Sequence, residues 1–222
     1  LHEGGAAYQV AAEKAEEMMW DMGFDHVEIT QYPDDPDQLN IVGYNWGRVN
    51  PDEYIVIGGH FDIAYMFTPP GGGTNEGSND DTSGSTVSLE VGQALAQMEF
   101  DHTVVAALWA CEEEGLLGSL AYVANLPENV SVRTYMNFDM VSLNYPIVPL
   151  TEPLIDPLTG DIFEPTKYDW SISIAGASDG NMDRMIDWVG QSIDENLAYQ
   201  PTEGNPIMWQ KAESCSSDHC SF

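Results

Sequence analysis

The sequence predicts an α/β sandwich whose sheet is largely parallel at its centre. Strand-like runs alternate with helix-like runs over most of the chain. Two runs, "YIVIGG" at 54–59 and "TVVAALWA" at 103–110, are apolar on both faces, as interior strands of a helix-covered sheet must be. Hydrophobic residues make up 43% of the 222 positions, enough for one domain that buries most of its apolar surface.

The elements follow in order. "AAYQVAAEKAEEMMWDMG" places Ala11, Ala15, Met18 and Met22 on one helical stripe, with Gly23 as terminator. "HVEITQY" alternates like a strand, "PDDPD" reads as a turn, and "LNIVGYNW" and "YIVIGG" are the next strands. After the Gly-rich "PPGGGTNEGS", Val87, Val91, Leu95 and Met98 keep helical spacing behind a cap at Thr82 or Ser83. "TVVAALWA" is a strand, "GLLGSLAYVANL" a short helix and "RTYMNFDM" a strand. Residues 144 to 169 are proline-rich and read as a long loop or small hairpin excursion. "WSISIAG" resumes a strand, 183–197 is helical and "PIMWQ" is a last short strand.

Composition excludes some partners. Six Lys plus Arg against 37 Asp plus Glu leave a formal charge of −31, which repels nucleic acid and anionic membranes. No apolar run approaches the ~20 residues that span a bilayer. So acidic a surface fits a high-salt environment. Cys215 and Cys220 are near enough in sequence for a small loop disulfide, and Asn129-Val130-Ser131 is a glycosylation sequon. Both fit an extracellular or secreted protein. Cys111, at the end of an apolar run, reads as an inert buried thiol.

Each buried strand ends in chemistry. "YIVIGGHFD" finishes in His60 and Asp62, "TVVAALWACEEEG" in Glu112, Glu113 and Glu114, and "YMNFDM" in Asp139, while "SNDDTSG" sets Asp80 and Asp81 before a helix. Taken singly, these are strand-end, turn and helix-start residues. Together they lie where an α/β sheet gathers its ligand, and such a crowd of carboxylates needs a counter-charge. Imidazole nitrogen and carboxylate oxygen suit a zinc-type cation, with one aspartate of the pair held against metal and the other turned away.

At these residues the chain resembles the M28 family of zinc aminopeptidases, through "GGHFD" (58–62), "NDDTSG" (79–84), "ACEEEGLLGS" (110–119) and "NFDM" (137–140). The resemblance implies a three-layer α/β/α sandwich with a mixed, centrally parallel sheet. Residues 1–222 are then a single peptidase domain, cut at the N-terminus and incomplete at the C-terminus. It further implies a co-catalytic zinc pair, with His60 and Asp139 as ligands of the first ion, Asp80 bridging and Glu113 on the second. Glu112 is then the general base acting on a metal-bound water, with Asp62 orienting His60 and a cis peptide joining Asp80 to Asp81. The implied activity is hydrolysis of N-terminal residues from peptides. The family's last zinc ligand, a histidine downstream of an "SDH"-type motif, has no match here, so the second site lacks one ligand. Asp218 and His219 of "SSDHCSF" fall near the substrate cleft, and Cys215 and Cys220 where some relatives carry a disulfide loop. Rival readings are an inactive peptidase-like binding domain, a glutaminyl cyclase relative and a carboxypeptidase.

Overall fold

The computed structural model describes residues 6–32, 35–64, 77–141 and 217–222, with the two-residue strands at 154–155, 162–163, 174–175 and 211–212. The chain divides into two compact units, Leu1–Ser142 with Cys215–Phe222, and Leu143–Ser214. Within the first, α1 (Ala6–Met22) precedes β1 (His26–Tyr32), β2 (Asp35–Asn45) and β3 (Asn50–His60). Then come α2 (Thr82–Ala96), β4 (His102–Trp109), α3 (Leu117–Ala124), β5 (Ser131–Asn137) and a 3-10 turn at Asp218–Ser221. In the second unit, β6 (Leu154–Ile155) pairs antiparallel with β7 (Ile162–Phe163), the small excursion expected from sequence. There too β8 (Ile174–Ala175) runs parallel to β9 (Lys211–Ala212). The helix expected at 183–197 and the strand "PIMWQ" lie outside the described residues.

The five strands of the first unit are ordered β1-β2-β4-β3-β5. β3 runs parallel to both β4 and β5, while β1 and β2 form an antiparallel flank, so the sheet is mixed with a parallel centre. Alternation of side chains sorts the core into two clusters. Ile41, Ile57, Ala106 and Leu108 pack under Tyr8, Ala12, Ala15 and Met19 of α1, with Leu89, Val91 and Leu95 of α2. Their strand neighbours Val42, Val56, Val105, Ala107 and Trp109 face Tyr122 of α3 on the other side. Helices therefore cover both faces, giving the expected three layers.

Three local expectations shift. The buried stripe of α1 is Tyr8, Ala12, Ala15 and Met19, whereas Met18 is 39% exposed. In a helix so rich in alanine the phase is set by Tyr8, whose ring stacks on Phe61 at 4.8 Å. The cap of α2 is Asp81 rather than Thr82 or Ser83: its carboxylate accepts the Gly84 N–H at 2.9 Å. β2 also starts earlier than expected, at Asp35, inside the stretch read as a turn. Gly23 does end α1, with a φ of 94°.

Gly84 permits a close crossing. A Cβ there would collide with the Phe138 carbonyl oxygen and the Asp81 carboxylate. Gly84→Ala is expected to cost about 3 kcal/mol of stability through overpacking, read as a lower urea midpoint. An unchanged midpoint would show that α2 does not need this approach to Phe138.

Candidate metal centre

The carboxyl ends of the three parallel strands converge. His60 closes β3 and is 1% exposed, with its carbonyl held by the Ser85 hydroxyl at 2.6 Å. Its Nε2 lies 3.1 Å from Asp80 Oδ1, 3.8 Å from Glu112 Oε2 and 3.9 Å from Asp139 Oδ1. Two donor sets result, His60 with Asp80 and Glu113, and His60 with Glu112 and Asp139. The structure thus brings together all the ligand and base candidates read from sequence.

Asp62 ties these parts together. Fully buried, it accepts the backbone N–H groups of Glu112 and Glu113, each at 3.1 Å. Its Oδ1 also stands 3.3 Å from His60 Nδ1, close enough for an electrostatic hold though outside hydrogen-bond geometry. One carboxylate thereby orients an imidazole and the following strand's loop at once. The peptide between Asp80 and Asp81 is cis, and the two side chains part company. Asp80 turns to the imidazole, whereas Asp81 accepts N–H groups from Gly84 at 2.9 Å and Met140 at 3.0 Å. The residues flanking the site carry strain: Cys111 and Met140 hold φ of 54° and 53° beside Glu112 and Asp139.

The turn at 217–222 adds contacts that the sequence did not reveal. Ser217 donates to Asp139 Oδ2 at 2.7 Å, and Ser119 donates to Asp218 Oδ1 at 2.6 Å. Asp218, expected near the substrate cleft, is wholly buried and held by Ser119 from α3. His219 on the same turn belongs to neither donor set. Cys220 is disulfide-bonded, Cys111 is buried outside any disulfide, and Cys215 lies outside the described residues. Polar residues at 119, 137 and 217 were the available signal, but their meeting depends on tertiary approach over 78 or more positions.

The electrostatics call for a cation. Among the described residues, Lys14, Arg48 and Arg133 pair with Glu17, Glu99 and Glu53, away from these carboxylates. Glu113 Oε1 and Asp139 Oδ1 are buried with no hydrogen-bond partner, and buried oxygens of this kind need an explanation. Glu113 belongs to one donor set and Asp139 to the other, so a divalent cation at each would satisfy them, and nitrogen with carboxylate oxygen is a zinc-type donor set. The residues present fit such an ion.

Without metal, burial pushes Glu112 up to about 8, and it pushes Asp81 and Asp218 each up to about 7. Burial opposes charge on His60, but Asp62 and Asp80 outweigh it and push the imidazole up to about 12. All four shifts have one sign: the folded state holds protons more tightly than the unfolded. The carboxyl contributions are complete below their ordinary values of 3.8 and 4.5 and are lost as pH climbs through about 7 and 8. The imidazole contribution starts to decline above 6.5. The metal-free protein is therefore expected to melt at a progressively lower temperature from pH 5 to pH 8, with a shallower slope in Asp218→Asn. Added divalent metal should reverse the trend, since it displaces those protons. A melting temperature that rises over that range without metal would contradict these shifts.

A mixed α/β sheet that delivers one imidazole and several carboxylates to the ends of its parallel strands defines a class, the α/β domains built around divalent metal. Comparison with known proteins narrows it. The sequence pattern of peptidase family M28 matches residues 40–173, more than half of the chain. The chain belongs to peptidase family M28. It is 31% identical over 144 residues to a glutamate carboxypeptidase 2 homolog of Caenorhabditis elegans, covering 60% of this chain and 17% of that protein. It is 38% identical over 99 residues to aminopeptidase Y of Saccharomyces cerevisiae, covering 43% of this chain and 17% of that protein. Its fold matches BSAP, a zinc aminopeptidase from Bacillus subtilis, with a TM-score of 0.53 and 23% identity over 83% of this chain and 37% of that one. The chain thus spans about a sixth of these two curated relatives.

Proposed function

We propose that this chain carries the catalytic centre of a zinc-dependent aminopeptidase. One observation supports the reading above others: the unpartnered oxygens of Glu113 and Asp139 face one buried imidazole, with no described Lys or Arg to neutralise them. His60, Asp80, Glu113 and Asp139 would hold the metal. Zinc bound there supplies a Lewis acid for the scissile carbonyl and makes a water acidic enough to ionise near neutral pH. Glu112 takes the proton from the attacking water and hands it to the departing amine nitrogen, so the proton balance closes within one side chain. Its backbone is fixed by Asp62, which holds the carboxylate in place for both transfers. The chain's charge of −31 favours approach of a protonated amino terminus. The disulfide at Cys220 supports a location outside the reducing cytosol, and the acidic composition supports a high-salt environment.

The test is zinc content together with release of the chromophore from leucine p-nitroanilide and from its N-acetylated form. Bound zinc with turnover of the free amine alone is expected. Zinc binding without turnover of any aminoacyl chromophore would overturn the aminopeptidase reading. The resemblance to a glutamate carboxypeptidase 2 homolog favours a second specificity, which cleavage of N-blocked peptides from the carboxyl end would establish.

A further inference from the structure

We propose that Trp109, Tyr135, Asn137 and Ser217 form a one-directional hydrogen-bond relay that positions Asp139 for metal, which rests on the reading of Asp139 as a ligand given above. The relay starts in the core. Trp109, the last residue of β4, is fully buried, and its indole N–H donates to Tyr135 Oη at 2.8 Å. An indole nitrogen can only donate. The phenol therefore accepts there and spends its single hydrogen on Asn137 Oδ1, at 2.7 Å. Oδ1 being taken, the amide presents its NH2 to Ser217 Oγ at 2.6 Å. Ser217 then donates its own hydrogen to Asp139 Oδ2 at 2.7 Å. The sense of all four bonds follows from the first. The far end is a carboxylate with Oδ2 pinned and Oδ1 left bare, 3.9 Å from His60 Nε2.

The surroundings keep the phenol in place. Phe222 stacks on Tyr135 at 4.2 Å and 22°, and Trp109 meets it edge-on at 6.3 Å. Burial holds the Tyr135 hydroxyl well above its ordinary pKa, so it remains a donor wherever the protein is folded. Gly58 leaves the space: a Cβ there would stand 2.7 Å from Trp109 Nε1 and 3.2 Å from Tyr135 Oη. Removing the phenol oxygen frees the Asn137 amide to turn over and face Ser217 with its oxygen. Ser217 then donates to Asn137, and Asp139 loses its anchor. Tyr135 touches neither metal nor substrate, so it is a positioning residue, as is Ser217.

The experiment is zinc affinity by competition with a chromogenic chelator, on the full chain, with melting temperatures of the metal-free proteins as a folding control. Tyr135→Phe and Ser217→Ala are each expected to weaken zinc binding by about 10- to 100-fold, the usual cost of losing an outer partner of a ligand. The double variant is expected to bind no more weakly than the worse single one, because both cut the same chain. Ser217→Thr, which keeps the hydroxyl, should bind as the native chain does. Should Tyr135→Phe fail to fold, the Ser217 pair carries the test alone. Native affinity in Ser217→Ala, or losses that multiply in the double variant, would overturn the relay. His60→Ala run in parallel separates the two levels. If it binds zinc as well as the native chain, the metal reading falls; if it loses zinc while Ser217→Ala does not, the relay alone falls.

Discussion

Glu112→Gln is expected to lower kcat by between about 10² and 10⁴-fold while bound zinc stays at the native level. Glutamine matches glutamate in size, and the backbone hold from Asp62 does not involve the side chain that changes. What disappears is the acceptor for the proton of the attacking water. The substitution also removes a carboxyl that burial and its acidic neighbours keep in its neutral form, so the metal-free fold should be unharmed or slightly more stable. A loss of turnover in a protein that melts no lower than the native one therefore reports on chemistry. Turnover within tenfold of native would remove Glu112 from the role of base.

His60→Ala is the second large effect, and it acts on both metal and fold. The imidazole is common to the two donor sets, so its loss should weaken zinc binding by more than about 100-fold, beyond what removing an outer partner costs. In the metal-free protein the same ring is the counter-charge for Asp62, Asp80 and Asp139, which face it within 3.1 to 3.9 Å. Deleting one partner of a buried charged cluster typically costs about 3–5 kcal/mol. The variant should thus melt lower without metal and gain little when zinc is added. Native zinc affinity would mean that the ion is held by other residues. An undiminished metal-free melting temperature would mean that the carboxylates carry no charge for the ring to balance.

Much of this was legible in the chain. Two of the three parallel strands, β3 and β4, are blunt apolar runs, so the first polar side chain after each marks where it leaves the core. His60 and Glu112 could be placed at one end of the sheet for that reason, and Asp139 by its place at the end of the strand "YMNFDM". The adjacent aspartates were also readable as a pair that divides, one held against a cation and the other turned away, since two neighbouring carboxylates repel one another. Their division was less accessible. Asp81 caps α2 and also ties down Met140, and that second bond depends on the segment after β5 reaching the start of α2, which local sequence does not encode. The phase of α1 failed similarly, because alanine fits either stripe and only the stacking of Tyr8 on Phe61 decides. Asp218 was read near the cleft from its "SDH" motif, but its burial against Ser119 rests on a contact 99 positions away that local sequence does not encode.

The turn at 217–222 belongs to the first compact unit, although residues 143–214 form the second. Asp139 therefore waits for Ser217, made 78 residues later. At about 5–20 residues per second, a ribosome needs several seconds to cover that stretch. Throughout that interval the growing chain has its sheet but not the clasp on one of its acidic side chains. A carboxylate clasped in this order gains its anchor only when nearly all of these 222 residues exist.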